Sequence, residues 1–208
     1  MKIKICGMKF PKNISDVGAL QPDFMGFIFY PKSKRFVGEN FPLKSLAKLP
    51  EKVQKVAVFV NESPETVVEV AKQYAFDFVQ LHGTESVETC AVIKEKGIKI
   101  IKAFSVDNFF NFEDTTAFES VCDYFLFDTK TDTYGGSGRA FDWQILEQYT
   151  LSKPFFLSGG LSFESLGAIQ KLNFPMLQGL DFNSKLEDTN YKKITEEVDE
   201  LIYKIRTQ

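Results

Sequence analysis

Histidine and cysteine are scarce in this chain of 208 residues, with one of the former and three of the latter. That scarcity, with no C-x-x-C pair present, excludes the usual zinc clusters. Cys6, Cys90 and Cys122 are odd in number and irregularly spaced, so they form no disulfide framework. The N-terminal MKIKICGMKF lacks the apolar core of a secretory signal. No apolar run approaches the roughly 20 residues of a membrane helix. A reduced, cytoplasmic setting is therefore expected. Charge of one sign is also lacking: the net value is −3, which offers nothing for nucleic acid or an anionic membrane to hold. The P-loop pattern G-x-x-x-x-G-K-[ST] and the dinucleotide G-x-G-x-x-G are both absent, and no metal or other cofactor is expected.

Apolar surface is abundant. Phenylalanine alone contributes 22 residues, enough to drive a packed core and to exclude disorder. Short apolar runs alternate with longer amphipathic stretches along the whole chain. The runs predict strands at Lys2–Cys6, Phe24–Phe29, Lys55–Val60, Phe76–Leu81, Lys99–Phe104, Asp123–Phe127, Pro154–Leu157 and Met176–Leu180. Most are continuously apolar rather than alternating, as strands covered on both faces are. Helices are predicted over Ser63–Tyr74, Thr84–Lys96, Phe141–Tyr149, Ser162–Lys171 and Thr189–Arg206, while Asp107–Val121 has a broken period. Eight strand-then-helix units imply a parallel sheet with covering helices, and eight favour closure into a single-domain (β/α)₈ TIM barrel over residues 1–208.

In such a barrel the site lies at the carboxyl ends of the strands. Cys6 follows the first, where a cysteine is either simple packing or a thiolate acting as base. Lys32, Lys34 and Arg35 follow the second: either a solvated cluster or a grip on an acidic ligand through the arginine fork. His82 follows the fourth. Asp128 follows the sixth, as a turn residue or as an acid perched on an apolar strand. Ser158-Gly159-Gly160 follows the seventh, and Asp181-Phe182-Asn183-Ser184 the eighth. These last two loops place backbone N–H groups where many barrels bind phosphate. Cys90 and Cys122 read as packing residues. The Gly-rich loop Thr131–Arg139 suits a flap over the site.

Taken together, KICG at 4–7, GFIFYPKSKRFV at 26–37, VAVFVN at 56–61, QLHG at 80–83, DT at 128–129, GGSGRAFDW at 135–143, SGGL at 158–161 and GLDFNSKLED at 179–188 resemble the phosphoribosylanthranilate isomerase family of tryptophan biosynthesis. The segments occur in family order and span nearly the whole chain. The resemblance implies a cofactor-free Amadori rearrangement of a small phosphoribosyl substrate. It also implies a monomer or homodimer with neither nucleic-acid nor membrane partner. It marks Cys6 as general base and Asp128 as general acid, with Arg35 on the anthranilate carboxylate. Gln80, His82, Gly135, Gly136 and Asp181 would contact substrate, and Gly159, Gly160, Asn183 and Ser184 the phosphate. For base and acid to coexist in abundance, the site has to lower the thiol pKa and raise that of the carboxyl.

Met8-Lys9-Phe10 departs from the short polar stretch usual in that family, and Asn111–Phe118 from its fifth helix. The nearest alternative is the aminoimidazole-carboxamide ribotide isomerase of histidine biosynthesis. Its acid–base pair is two aspartates, and Cys6 at the first position disfavours it. A barrel that merely binds a sugar phosphate is disfavoured by the presence of Cys6, Asp128 and Arg35 together.

Overall fold

A computed structural model describes residues 1–38, 41, 43–129 and 142–207. Eight parallel strands close on themselves in chain order: β1 Lys2–Ile5, β2 Phe24–Ile28, β3 Gln54–Phe59, β4 Phe78–Leu81, β5 Lys99–Val106, β6 Tyr124–Thr129, β7 Phe155–Leu157 and β8 Leu177–Phe182. Each predicted strand is present, with its ends moved by one or two residues. Closure is made by β1 against β8, with Lys2, Ile3, Lys4 and Ile5 opposite Gly179, Leu180, Asp181 and Phe182. The barrel expected from the sequence is thus the fold observed.

Helices cover the outside: α1 Pro11–Ala19, α2 Leu43–Leu46, α3 Pro64–Gln73, α4 Val87–Glu95, α5 Leu166–Ile169 and α6 Thr195–Thr207. The first two are additional to those expected. Ser63 caps α3 by accepting from the Thr66 amide, and Pro64 supplies a preset first turn. The expected start of α4 at Thr84 is corrected to Val87, because Ser86 is the capping residue that accepts from the Thr89 amide. The expected helix at Thr189 begins only at Thr195: the chain before it forms a 3₁₀ turn at Ser184–Leu186 and a bridge from Glu187 to Lys193. Phe112–Phe118 and Trp143–Gln148 are 3₁₀ rather than α-helical. Ser162–Lys171 is split into a 3₁₀ turn at Phe163–Ser165 and the short α5. Cys90 and Cys122 are buried free thiols in the outer core, as packing residues should be.

Side chains alternate across each strand with period two. Ile3, Ile5, Met25, Phe27, Val79, Leu81, Phe125 and Phe127 pack outward beneath the helices. The opposite parity fills the interior: Phe24, Val56, Val58, Phe78, Ile101, Ala103, Leu126 and Phe156, with Tyr124 against them. At the amino-terminal end Phe24, Phe78, Tyr124 and Phe156 form an aromatic plug, with ring centroids 5.2–6.4 Å apart and mostly edge to face. The same parity, followed upward, delivers polar side chains to the carboxyl end.

Candidate active site

At that end a cavity opens between the strand termini. Cys6, Gln80, His82, Asp128 and Asp181 line it, with Ile28, Val58 and Leu161 as apolar wall. Gly159, Gly160, Asn183 and Ser184 also line it. Cys6, Asp128, Gln80, His82 and Asp181, predicted from stretches as distant as 4–7 and 179–188, thus meet in one place. Asp128 and Asp181 belong to β6 and β8 themselves rather than to the loops beyond, so both ride on rigid backbone. Gly135 and Gly136 lie outside the described residues.

Cys6 is buried beside Lys4, which shares its face of β1. A Cβ added to Gly26 would stand 2.6 Å from Cys6 Sγ and 3.2 Å from Lys4 Nζ, so only a bare α-carbon on β2 leaves room for both. Lys4 Nζ donates to Asp181 Oδ1 at 2.9 Å, inside the barrel. Burial alone depresses a lysine, but the Asp181 carboxylate and the Cys6 thiol hold the Lys4 ammonium above its ordinary range. Burial pushes the Asp181 carboxyl up and Lys4 opposes it. Burial also pushes the Cys6 thiol up, against the pull of Lys4 and, more weakly, Lys193. Burial thus opposes the lowered thiol that abundant coexistence of base and acid would require. A few ångströms of protein in place of water outweigh one ammonium that is already shared with a carboxylate.

Asp128 stands in a row of three. Its Oδ2 lies 3.2 Å from His82 Nε2, and His82 Nδ1 lies 2.9 Å from Gln80 Nε2. Its Oδ1 accepts from the Thr129 amide at 2.9 Å. Gln80 Oε1 is buried without a hydrogen bond.

Arg35 is buried, unlike its exposed neighbours Lys32 and Lys34. It is not among the residues that line the cavity, and a carboxylate of the protein itself engages it. Its Nε donates to both carboxylate oxygens of Glu187 at 3.0 Å, and its Nη2 also reaches Oε1. Its guanidinium stacks over Tyr191, 5.3 Å from the ring centre. Lys193, also buried, donates to Glu187 Oε2 at 2.9 Å and to the Asn183 side-chain and backbone oxygens at 2.7 and 2.9 Å. Burial raises the Glu187 carboxyl, but Arg35 and Lys193 outweigh it and hold the group below its usual range. Lys193 thereby joins the loop after β8 to the arginine after β2.

The two expected phosphate loops flank the cavity. Gly159 and Gly160 have φ of 91° and 69°, a region that favours glycine. A Cβ on Gly159 would meet Thr129 Oγ1 at 2.1 Å and its amide nitrogen at 2.6 Å. The 3₁₀ turns that follow, at 163–165 and 184–186, are three residues each. A helix dipole contributes little there, so the loop amides themselves have to carry any anion.

Three site residues escape the sequence reading. Lys4 had a signal, because Lys2, Lys4 and Cys6 share one parity of an otherwise apolar strand. Glu187 lies within GLDFNSKLED with no role marked for it, and Lys193 lies within the stretch Thr189–Arg206 expected to be helical.

Comparison with known proteins agrees with this geometry. The family model for N-(5′-phosphoribosyl)anthranilate isomerase matches residues 3–202. The chain is 46% identical over 189 residues to the enzyme of that name from Parabacteroides distasonis, covering 90% of this chain and 85% of that protein. It is 41% identical to the Phocaeicola vulgatus enzyme, covering 90% and 89%. Among solved structures, the Thermotoga maritima phosphoribosylanthranilate isomerase superposes with a TM-score of 0.87 at 33% identity, over 100% of both chains. A further structure of such an isomerase, in complex with reduced 1-(o-carboxyphenylamino)-1-deoxyribulose 5-phosphate, superposes at 0.83 with 30% identity, over 100% of both chains. Generated monomers of the Thermotoga maritima enzyme, described as dimeric, have also been solved.

Proposed function

This chain belongs to the N-(5′-phosphoribosyl)anthranilate isomerase family, and from that premise we propose the parts its cavity residues play. The protein is an isomerase of tryptophan biosynthesis. It converts N-(5-phosphoribosyl)anthranilate to 1-(2-carboxyphenylamino)-1-deoxyribulose 5-phosphate by an Amadori rearrangement. The observation that carries the assignment of roles is that Cys6 and Asp128 line one cavity between the glycine loop at 159–160 and the loop at 183–184.

Asp128 protonates the ribose ring oxygen, and the C1′–O bond breaks as the anilino nitrogen forms an iminium. That cation acidifies the C2′ proton, which the Cys6 thiolate removes to give an enolamine. The 2′-hydroxyl then loses its proton and C1′ gains one, leaving the ketone. Lys4 stabilises the thiolate, and Asp181 keeps Lys4 charged in the barrel. Arg35 holds the anthranilate carboxylate while Glu187 orients the guanidinium. Gly159, Gly160, Asn183 and Ser184 hold the phosphate. Gln80, His82 and Asp181 border the ribose.

The raised thiol has a kinetic consequence. The productive state needs the thiolate and the protonated carboxyl together, the minor distribution when the thiol is the weaker acid. The basic limb of the rate profile then reports the thiol.

The substrate is a free small molecule, and the protein works in the cytoplasm as a monomer or homodimer. Among the described residues no helix is long and apolar enough to cross a membrane. Growth of a tryptophan auxotroph lacking only this isomerase, restored by this gene, tests the function. Folded protein that fails to restore growth or to consume the substrate overturns it. Crystals soaked with a phosphorylated product analogue test the phosphate site, and a phosphate bound away from 159–160 and 183–184 removes that assignment.

A further inference from the structure

Asp128, His82 and Gln80 form a row that the reaction as written does not fully use. Both carboxylate oxygens of Asp128 are met by nitrogen: Oδ1 by the Thr129 amide and Oδ2 by His82 Nε2. A general acid has to obtain a proton, and the imidazole at 3.2 Å can carry one. Both side chains are largely enclosed, 20% and 15% exposed, so the exchange is shielded from bulk water.

Gln80 on the far side of the ring suits a group that changes charge. A neutral imidazole carrying Nε2–H accepts at Nδ1, and the amide nitrogen of Gln80 stands 2.9 Å away to donate. An imidazolium carries Nδ1–H and needs an acceptor there. The Gln80 amide offers one after a half-turn of its terminal torsion, and its Oε1 is buried with no hydrogen bond to give up. An apolar residue would leave Nδ1 unpaired, and a carboxylate would fix the charged form. An amide is uncharged and serves both states.

We propose that His82 is a positioning residue that shares the acid's proton with Asp128, while the Gln80 amide accommodates both states of the ring. This deepens the reading of Asp128 as the acid and rests on it. The imidazolium passes its Nε2 proton to Asp128, and Asp128 gives one to the ring oxygen as the C1′–O bond breaks. The pair regains a proton when the 2′-hydroxyl of the enolamine releases its own, and the Cys6 thiol returns its proton to C1′. Protons balance over the cycle and no electrons are exchanged. The charged groups around His82 are Asp128 on β6, Asp181 on β8 with its partner Lys4 on β1, and the Glu85–Lys102 pair that brackets the following residue, Gly83. The acidic limb of kcat/KM then belongs to the pair and not to a lone carboxyl.

His82 is the only histidine, so its imidazole nitrogens give one set of NMR signals in the full-length protein. In the wild type the imidazole is expected to titrate over the same pH interval as the acidic limb. Asp128→Asn should lower the midpoint of that titration, because the carboxylate that favours the imidazolium is gone. His82→Gln keeps a donor near Asp128 but cannot titrate. Normalised to its own plateau, its acidic limb should move toward acid. Simple damage to the site does not extend a rate profile toward acid. An acidic limb that stays in place in His82→Gln, or an imidazole midpoint unmoved by Asp128→Asn, overturns the proposal. If His82→Gln does not fold, the NMR titrations of wild type and Asp128→Asn decide. An Asp128→Asn variant with full kcat defeats the reading of Asp128 itself. An inactive Asp128→Asn beside an unmoved His82→Gln limb removes only the role of His82.

Discussion

The floor and the mouth of this barrel are built from the same strands and the same side-chain parity, yet they have opposite chemistry. On β1 the inward positions run Lys2, Lys4, Cys6; on β4, Phe78 and Gln80, with His82 following; on β6, Tyr124, Leu126, Asp128. At the floor Phe24, Phe78, Tyr124 and Phe156 meet mostly edge to face. Lys2 lies against that plug, donating to the Tyr124 hydroxyl at 3.0 Å with its ammonium 5.7 Å from the Phe24 ring centre. At the mouth polar groups from across the ring meet in pairs, Lys4 with Asp181 and His82 with Asp128. The floor supplies stability by burial. The mouth spends some of it to keep Lys4, Asp181 and Cys6 away from water, where their interactions are stronger and their pKa values move.

That contrast can be broken first at the mouth. Cys6→Ser and Asp128→Asn should each keep the fold and lower kcat by about 10²–10⁴-fold, the usual effect of removing a general base or acid. Unchanged thermal melting with lost turnover is the expected pair of results, and a Cys6→Ser enzyme keeping more than about a tenth of wild-type kcat defeats the assignment.

The floor should answer in the opposite way. Phe156→Ala removes a ring whose centroid lies 5.2 Å from that of Phe24 and 5.3 Å from that of Tyr124. The cavity should cost about 3–5 kcal/mol. For a chain of this size that is a Tm lower by roughly 6–20 °C. Per folded molecule, kcat should stay within a few-fold of wild type. A large loss of kcat without loss of stability would show that floor and mouth are not separable.

Arg35→Met lies at the edge of the mouth and should affect both. Loss of the charge-assisted grip on the substrate carboxylate is worth about 1.5–3 kcal/mol, so KM should rise by roughly one to two orders of magnitude. Stability should fall too, because Glu187 is left buried with Lys193 as its remaining cation. An unchanged KM, measured with stability restored by low temperature, removes Arg35 from substrate binding.

The smallest effect concerns acid. Glu187 is held below its usual range, so its contribution to stability is complete above the unfolded carboxyl value of about 4.3 and is lost as pH falls through the depressed folded value. Urea unfolding below pH 5 should show a steeper loss in the wild type than in Glu187→Gln. Parallel curves would mean that Arg35 and Lys193 do not stabilise the charged form.

The eight strands were legible as continuous apolar runs because both faces of a parallel strand are buried, and composition alone keeps such runs out of loops. The site loops were legible because they follow those runs, and the family motifs marked Cys6, Asp128 and the glycines. Helix starts after β4 and β8 were misjudged: Ser86 is the nearer cap of the first, and a 3₁₀ turn and a bridge precede the second. Tertiary structure alone decided what faces what. Lys4 meets Asp181 only because β1 closes on β8, 177 residues along the chain. Arg35 meets Glu187 across 152 residues. The direction of the thiol shift was likewise beyond reach of the sequence, because a motif names the groups beside Cys6 but not how much water the closed barrel removes from them.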